Sequence, residues 1–358
     1  METKTYPQAS LLEIRCRKCE NGKPESGGYR TRRHRDLDGI REVEVLRVRC
    51  RECKGSLGCV YPAGVQRYKW YSSKVQGIFA ILDVHQVDES CANELAEHLG
   101  YAIEPETRAA WQATRAFRAE QLETKDVGSK TSKVDVASID EIKVGYWWLY
   151  TLTEINSQAI IDYDFCESRD EEVVRKLIDD NDPEMLISDG CSSIAAACDY
   201  FADKPHGRCW FHVIREVLKQ FPKEERALVS FDLRYLYTLN DVKDADWFLA
   251  VLKERYPGEK LEALLNAWEQ LKLYWEHDAM PLTNNASETL YSAIWSRNRK
   301  RVIKALYRAK DWFIEARWRW HHHLIRGSSP WQRLTGIPSK PWLLALITPL
   351  KYSTDFSA

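Results

Sequence analysis

Three carboxylates sit where an unassisted chain would not place them. Asp140 lies inside the apolar run Val-Ala-Ser-Ile-Asp140-Glu-Ile-Lys-Val, Asp189 closes Met-Leu-Ile-Ser-Asp189-Gly, and Glu288 follows Thr-Asn-Asn-Ala-Ser. The first two runs read as buried strands and the third as the start of a helix, with Thr283, Asn284 and Asn285 as capping residues. An ionised carboxylate in a buried strand is costly unless something compensates it, and a bound cation is one such compensation. A fold that carries all three must therefore bring them to a common point or solvate each one separately.

The surrounding pattern restricts the fold further. Val134–Val144, Tyr146–Asn156 and Ala159–Cys166 are strand-like runs separated by short breaks at Gly145 and Ser157. A helix is expected over Glu171–Asp180, stopped by Asp182-Pro183, then a strand over Glu184–Ser188 and a helix over Ser192–Phe201. A short fifth strand over His206–Phe211 and a helix over Val213–Phe221 follow. Three meandering strands followed by strand–helix units is the order of an α/β RNase H-like core, with residues 134–221 as its first part. Residues 222–280 read as an all-α insertion, 281–326 as the last part of the core carrying Glu288 on its helix, and 327–358 as a loosely structured tail. If strands one and four are neighbours, Asp140 and Asp189 approach each other, and Gly190 permits a tight turn after Asp189. Strand alternation sends Glu141 to the face opposite Asp140.

Before the core, Cys16-Arg-Lys-Cys19 and Cys50-Arg-Glu-Cys53 form two close pairs, with Gly27-Gly28 and a strand-like run Glu42–Arg49 between them. Four thiolates in two knuckles can surround Zn²⁺ tetrahedrally, which predicts a zinc ribbon over 1–62, although the gap between the pairs is longer than usual. Cys59 falls outside the pattern. Residues 63–122 read as three helices: Ser72–Gln86, Ser90–Leu99 ended by Gly100, and a third opened by Pro105 and running to Leu122. A Gly turn between short helices is the helix-turn-helix pattern, and Thr107, Arg108, Gln112 and Arg115 on the third helix suit groove and phosphate contacts with DNA. Residues 123–133 are small and polar, as in a linker.

The net charge of −1 hides an asymmetry. Residues 1–60 carry 14 Lys and Arg against 9 Asp and Glu, 135–190 carry 4 against 15, and 290–335 carry 11 against 2. Basic ends around an acidic middle fit a polyanion held by the ends and cations held by the middle. Arg297, Arg299, Lys300 and Arg301 form a basic cluster just after Glu288, suited to DNA phosphates. No leader-like apolar core opens the chain and the apolar run Trp342–Leu350 is too short to cross a bilayer, so a cytoplasmic location without membrane partners is expected. In a reducing compartment, Cys-x-x-Cys pairs bind metal more often than they form disulfides. His321-His322-His323 points in three directions on a helix and cannot make one compact metal site. Three gathered carboxylates suit two Mg²⁺ or Mn²⁺ ions, and two such ions about 3.5–4 Å apart support in-line displacement at a phosphodiester.

These segments together resemble the prokaryotic insertion-sequence transposases with a DDE catalytic core, especially the Mutator-like groups. Ile-Ser-Asp189-Gly followed by Cys209-Trp-Phe-His212 is similar to their second acidic residue and Cys-x-x-His signature, and Thr-Asn-Asn-Ala-Ser-Glu288 to their third. The resemblance implies that Asp140, Asp189 and Glu288 are catalytic, that the helical stretch is their characteristic insertion, and that the N-terminal region binds the element's ends. It further implies metal-dependent hydrolysis at an end followed by strand transfer into target DNA, by a homodimer or larger assembly associated with the nucleoid. A nuclease with the same core, or a DNA-binding protein that has lost catalysis, are the alternatives.

Overall fold

The computed structural model describes residues 16, 18–19, 22–61, 70–85, 87, 89–127, 134–294, 305–325 and 327–347. The chain divides into two compact units, residues 1–115 with 343–358, and residues 116–342.

In the first unit, β1 (Pro24–Asp36), β2 (Gly39–Cys50) and β3 (Ser56–Val60) form an antiparallel sheet in the order β1-β2-β3. Alternation along β2 puts Leu46, Val48 and Cys50 inward, and Val60 of β3 joins Leu46 and Val48 in a small core. Three helices follow: α1 (Ser73–Val84), α2 (Glu89–His98) and α3 (Pro105–Val127), the last of which belongs to the second unit from Ala116 onward. Ser72 caps α1 by accepting from the Val75 backbone N–H, and Gly100 makes the turn after α2 at φ +78°. Val75, Phe79, Ala92, Ala96, Tyr101, Ile103 and Trp111 are packed together between these helices. The boundary expected at 122 is overrun, because α3 continues to Val127 into what reads as the linker at 123–133; residues 128–133 lie outside the described residues.

In the second unit, β4 (Val136–Val144), β5 (Trp147–Glu154), β6 (Ile160–Cys166), β7 (Met185–Ser188) and β8 (His206–Arg208) form one sheet in the order β6-β5-β4-β7-β8. The first three pair antiparallel, while β4–β7 and β7–β8 are parallel. This is the order expected for the RNase H-like core, and it makes β4 and β7 neighbours. The parallel crossovers are α4 (Glu171–Asn181) and α5 (Ser192–Tyr200). Val174, Leu177 and Ile178 of α4 and Ile194 and Ala197 of α5 cover one face of the sheet.

The fifth strand is shorter than expected and helix α6 (Trp210–Lys219) starts earlier. Cys209 caps α6, and its own N–H donates to the Ser188 carbonyl at 2.8 Å, so the chain turns straight from β8 into the helix. Residues 222–280 hold only helices and their connections: α7 (Arg226–Leu236), α8 (Val242–Arg255), a short 3-10 turn and α9 (Glu262–Glu276), packed with α6 around Trp210, Leu233, Leu249, Leu264 and Leu271. The other sheet face is covered by α10 (Asn285–Ile294) and α11 (Leu306–His322), through Leu290, Ile294, Trp312, Phe313 and Trp320. Each such large side chain contributes roughly 1.5–3 kcal/mol by leaving water. The expected loose tail instead contains α12 (Pro330–Thr335), capped by Ser329 and closed by Gly336 at φ +73°, and α13 (Trp342–Ile347). Pro at the first helical turn and Gly after the last are local signals strong enough to order so short a helix.

Candidate active site and metal centres

Asp140 sits at the middle of β4, 6% exposed. Its carboxylate accepts from the Glu141 backbone N–H at 2.8 Å and from Asn284 Nδ2 at 3.4 Å. Burial, then the charge of Asp189, then those of Glu141 and Glu288 push its pKa well above the usual carboxylate range. Asp140 therefore lies in the field of Asp189 and of Glu288. Asp189 follows β7 and accepts from the Cys191 backbone N–H at 3.0 Å. Glu288 lies in the first turn of α10, with Oε1 3.4 Å from His212 Nε2 on the first turn of α6.

The helix that brings Glu288 is fixed by a polar stripe. Asn284, Ser287 and Tyr291 recur at helical spacing and all face the sheet. Ser287 Oγ is 2.8 Å from Ser138 Oγ on β4. The Tyr291 hydroxyl donates to the Asp140 backbone carbonyl at 2.9 Å and lies 2.8 Å from Thr151 Oγ1 on β5. All of these groups are buried. These contacts hold Asp140 and α10 in one register, so Glu288, adjacent to Ser287, is aimed by the same anchor.

Asp189 is held from the other side. Gly190 has φ +78°, and a Cβ built there would fall 1.7 Å from Arg208 Cζ. The turn is thus glycine both for its backbone and because the Arg208 guanidinium occupies the side-chain position. Ser188 Oγ accepts from the Gly190 N–H at 3.0 Å and pairs with His206 Nε2 at 2.8 Å. Burial, with Arg208 nearby, lowers the His206 pKa to about 4 and so keeps the ring neutral at pH 7. The His212 pKa is also lowered, mainly by burial.

Glu141 points elsewhere, as alternation requires. It pairs with Arg169 at 2.6 Å and contacts the Cys191 thiol. Cys209 is fully buried at the α6 cap.

The donor chemistry fits hard divalent cations such as Mg²⁺ or Mn²⁺. The groups that converge are carboxylates, and the Asn284 amide oxygen beside them is buried without a hydrogen-bond partner among the described residues. Their ligand atoms do not close as tightly as those of the cysteines. Among the described residues, only Cys16, Cys19, Cys50 and Cys53 gather three or more ligand atoms all within 4.8 Å of one another.

Those four sulfurs form a different centre in the first unit. Sγ separations of 3.6 Å link Cys16 to Cys53, Cys19 to Cys16 and Cys19 to Cys50. A tetrahedral ion with sulfur at about 2.3 Å needs sulfurs about 3.8 Å apart, so the set fits Zn²⁺. A Cβ at Gly22 would lie 2.3 Å from Cys50 Sγ, which makes that glycine part of the cradle.

The groove-reading residues expected on α3 are placed differently. Arg108 Nη2 and Arg115 Nη2 bind the two oxygens of Asp83 on α1, at 2.6 and 3.2 Å, and Gln112 is buried. Arg108 and Arg115 tie α3 to α1 instead of facing outward, because a buried carboxylate on α1 needs their charge. Thr107 is half-buried. Arg297, Arg299, Lys300 and Arg301 lie outside the described residues. His321 and His322 are packing residues. His321 Nε2 accepts from the Ile160 N–H at 3.1 Å and its ring stacks on Trp331, while His322 packs on Trp318.

Residues 180–309 match the family model described as Transposase, Mutator family. The match takes in Asp189, Cys209, His212 and Glu288, and the resemblance to Mutator-like transposases holds for this segment. Asp140 precedes it. No curated protein matches the chain. Among solved structures, the catalytic core domain of BIV integrase in crystal form I aligns at a TM-score of 0.22 and 11% identity, over 56% of this chain and 93% of that one. A likeness that low carries no weight for fold or function. No helix among the described residues is long and apolar enough to cross a membrane.

Proposed function

We propose that this protein is a DNA transposase of the DDE type. The observation that carries the reading is that Asp189, Cys209, His212 and Glu288 fall within the transposase family match while Asp140, from an adjacent strand, lies in the field of Asp189 and Glu288. Asp140, Asp189 and Glu288, with Asn284 beside them, would hold two Mg²⁺ or Mn²⁺ ions. Bound there, such ions supply Lewis-acid activation of a water or 3′-hydroxyl and stabilise the leaving oxygen of a phosphodiester.

The protein's own groups supply position and field. Ser138, Ser287, Thr151 and Tyr291 keep the Glu288 helix registered to Asp140. Gly190 and Arg208 shape the turn that presents Asp189. His212, with its pKa lowered by burial, stands beside Glu288 as a neutral imidazole at pH 7 and does not compete for the carboxylate as a fixed cation. The cysteine centre would hold Zn²⁺ and brace the first unit, whose helices and sheet bind the element's ends, and two ends call for a homodimer or larger assembly.

The test is incubation of the purified protein with Mg²⁺ and labelled DNA carrying the inverted repeats that flank its gene. Joined products are expected. Cleavage without joining would make it a nuclease, and binding alone a DNA-binding protein. Full activity in Asp140→Asn, Asp189→Asn and Glu288→Gln would overturn the catalytic assignment.

A further inference from the structure

One cation of the core stands among acidic groups and is bound to none of them. Arg208 ends β8 and pairs in register with Ser188, the last residue of β7. Its guanidinium lies against Gly190, where a Cβ would fall 1.7 Å from Cζ, 1.8 Å from Nη1 and 2.2 Å from Nε. Gly190 directly follows Asp189, so this guanidinium is seated on the backbone that carries a proposed metal ligand. Its Nε is buried without a hydrogen-bond partner among the described residues, and Nη1 donates only to the Gly190 carbonyl, at 3.4 Å. Nη2 is neither enclosed nor partnered among the described residues, and Arg208 pairs with no carboxylate of a described residue.

The charge nevertheless reaches the acidic cluster. The His212 ring, whose pKa is lowered first by burial, lies in the fields of Asp189, Arg215, Glu288 and Arg208 together. Covering Gly190 does not need an arginine. An apolar side chain there would bury no unsatisfied N–H, and an arginine kept for structure would gain from a counter-ion. An unpaired guanidinium is instead free to meet an incoming anion, and its planar fork of donors matches phosphate oxygens.

Resting on the transposase reading, we infer that Arg208 is a further catalytic residue, whose guanidinium binds a non-bridging oxygen of the phosphodiester to be cut beside Asp189. Three carboxylates repel a phosphate, and this cation offsets part of that repulsion at the point of approach. Negative charge grows on the non-bridging oxygens as the attacking oxygen bonds to phosphorus and the bridging oxygen leaves with its electron pair. A donor already fixed against Gly190 meets that charge without reorganising.

The test reads charge at one phosphate. In chelator, the full-length protein binds fluorescein-labelled duplexes spanning an end defined by the inverted repeats that flank its gene. One duplex has the natural phosphodiester at the cut position and one an uncharged methylphosphonate. Arg208→Gln keeps a planar polar head at Gly190 and removes the charge. The affinity ratio, natural over methylphosphonate, should be about fivefold greater for the wild type than for Arg208→Gln, the scale of one partly exposed ion pair. A methylphosphonate one helical turn into the duplex should give both proteins the same ratio. With Mg²⁺, Arg208→Gln should cut the natural duplex about a hundredfold more slowly. A second measurement needs no variant: phenylglyoxal should modify Arg208, read by mass spectrometry, and the natural duplex should protect it better than the methylphosphonate duplex. Equal ratios in the two proteins, or equal protection by the two duplexes, would overturn the inference while leaving the DNA reading in place. Failure of the wild type to bind either duplex would overturn both.

Discussion

Replacing Glu123 by Gln should weaken the second unit by about 3 kcal/mol, although Glu123 touches none of the proposed catalytic groups. Its carboxylate is buried near the C-terminal end of α3, where Oε2 meets Arg317 Nη2 and Oε1 lies 2.9 Å from His321 Nδ1. Burial alone would raise its pKa, but the Arg317 charge and then His321 outweigh that and hold it at about 2, against an ordinary 4.5. A depression of about two and a half units, at about 1.36 kcal/mol each, corresponds to roughly 3 kcal/mol. The sign follows from the depression. The contribution is fully present above about pH 4.5 and is lost as pH falls through about 2. The substitution also leaves Arg317 buried without its counter-ion, a change that costs about 3–5 kcal/mol in comparable pairs, so the two routes agree. Urea unfolding at pH 7, followed by fluorescence of the buried Trp312, Trp318 and Trp331, should show the midpoint fall by about 1–2 M with an unchanged slope. Between pH 4.5 and 2.5 the variant should lose less stability than the wild type. An unchanged midpoint, or the same acid sensitivity in both proteins, would refute the reasoning.

Other outcomes follow from the site. In chelator at pH 7, Asp140→Asn should melt at a higher temperature than the wild type, because a carboxylate whose pKa is raised in the fold destabilises it increasingly above about pH 3.8. Saturating Mg²⁺, at about a hundred times its dissociation constant, should add about 2.7 kcal/mol to the wild type and little to that variant. Tyr291→Phe strands Thr151 Oγ1 and the Asp140 carbonyl, so it should cost about 1–3 kcal/mol in denaturation and reduce cleavage more than DNA binding. Gly190→Ala should cost about 1–2 kcal/mol for the left-handed backbone alone, displace Arg208, and depress cleavage with DNA binding kept, in a gel assay. Cys19→Ser, or strong chelation, should remove bound zinc by elemental analysis and abolish the ribbon's ordered amide signals while the unfolding transition of residues 116–342 persists.

Local pattern carried much of the fold. The breaks at Gly145 and Ser157 and the apolar alternation between them marked β4, β5 and β6 to within two residues, and the same alternation separated Asp140 from Glu141. Errors came where tertiary contact overrules pattern. His206–Phe211 is expected as a strand, yet the Trp210–Leu282 backbone hydrogen bond and the turn at Cys209 take the chain into α6 after three residues. Arg108, Gln112 and Arg115 looked like DNA contacts by residue type. Their spacing put them on the same helix face as the buried Trp111, a signal that they point inward. The stripe of Asn284, Ser287 and Tyr291 was visible as polar residues at helical spacing. What it docks against was not, since Ser138 and Thr151 lie about 140–150 positions earlier.

That stripe has a consequence for how such a chain can change over time. Two of the acidic residues travel with the sheet, but Glu288 arrives on a helix reached only after the long helical excursion from 222 to 280. Were its position set by the excursion, every insertion or deletion there would move the carboxylate. The hydroxyl pair of Ser138 and Ser287, with Tyr291 one turn on, works as a keyed joint. The helix seats in one rotation and at one height, since sliding by a turn of about 5.4 Å or rotating by one residue unmakes every contact at once. The excursion can then lengthen, shorten or acquire new surface, provided the key still reaches its slot.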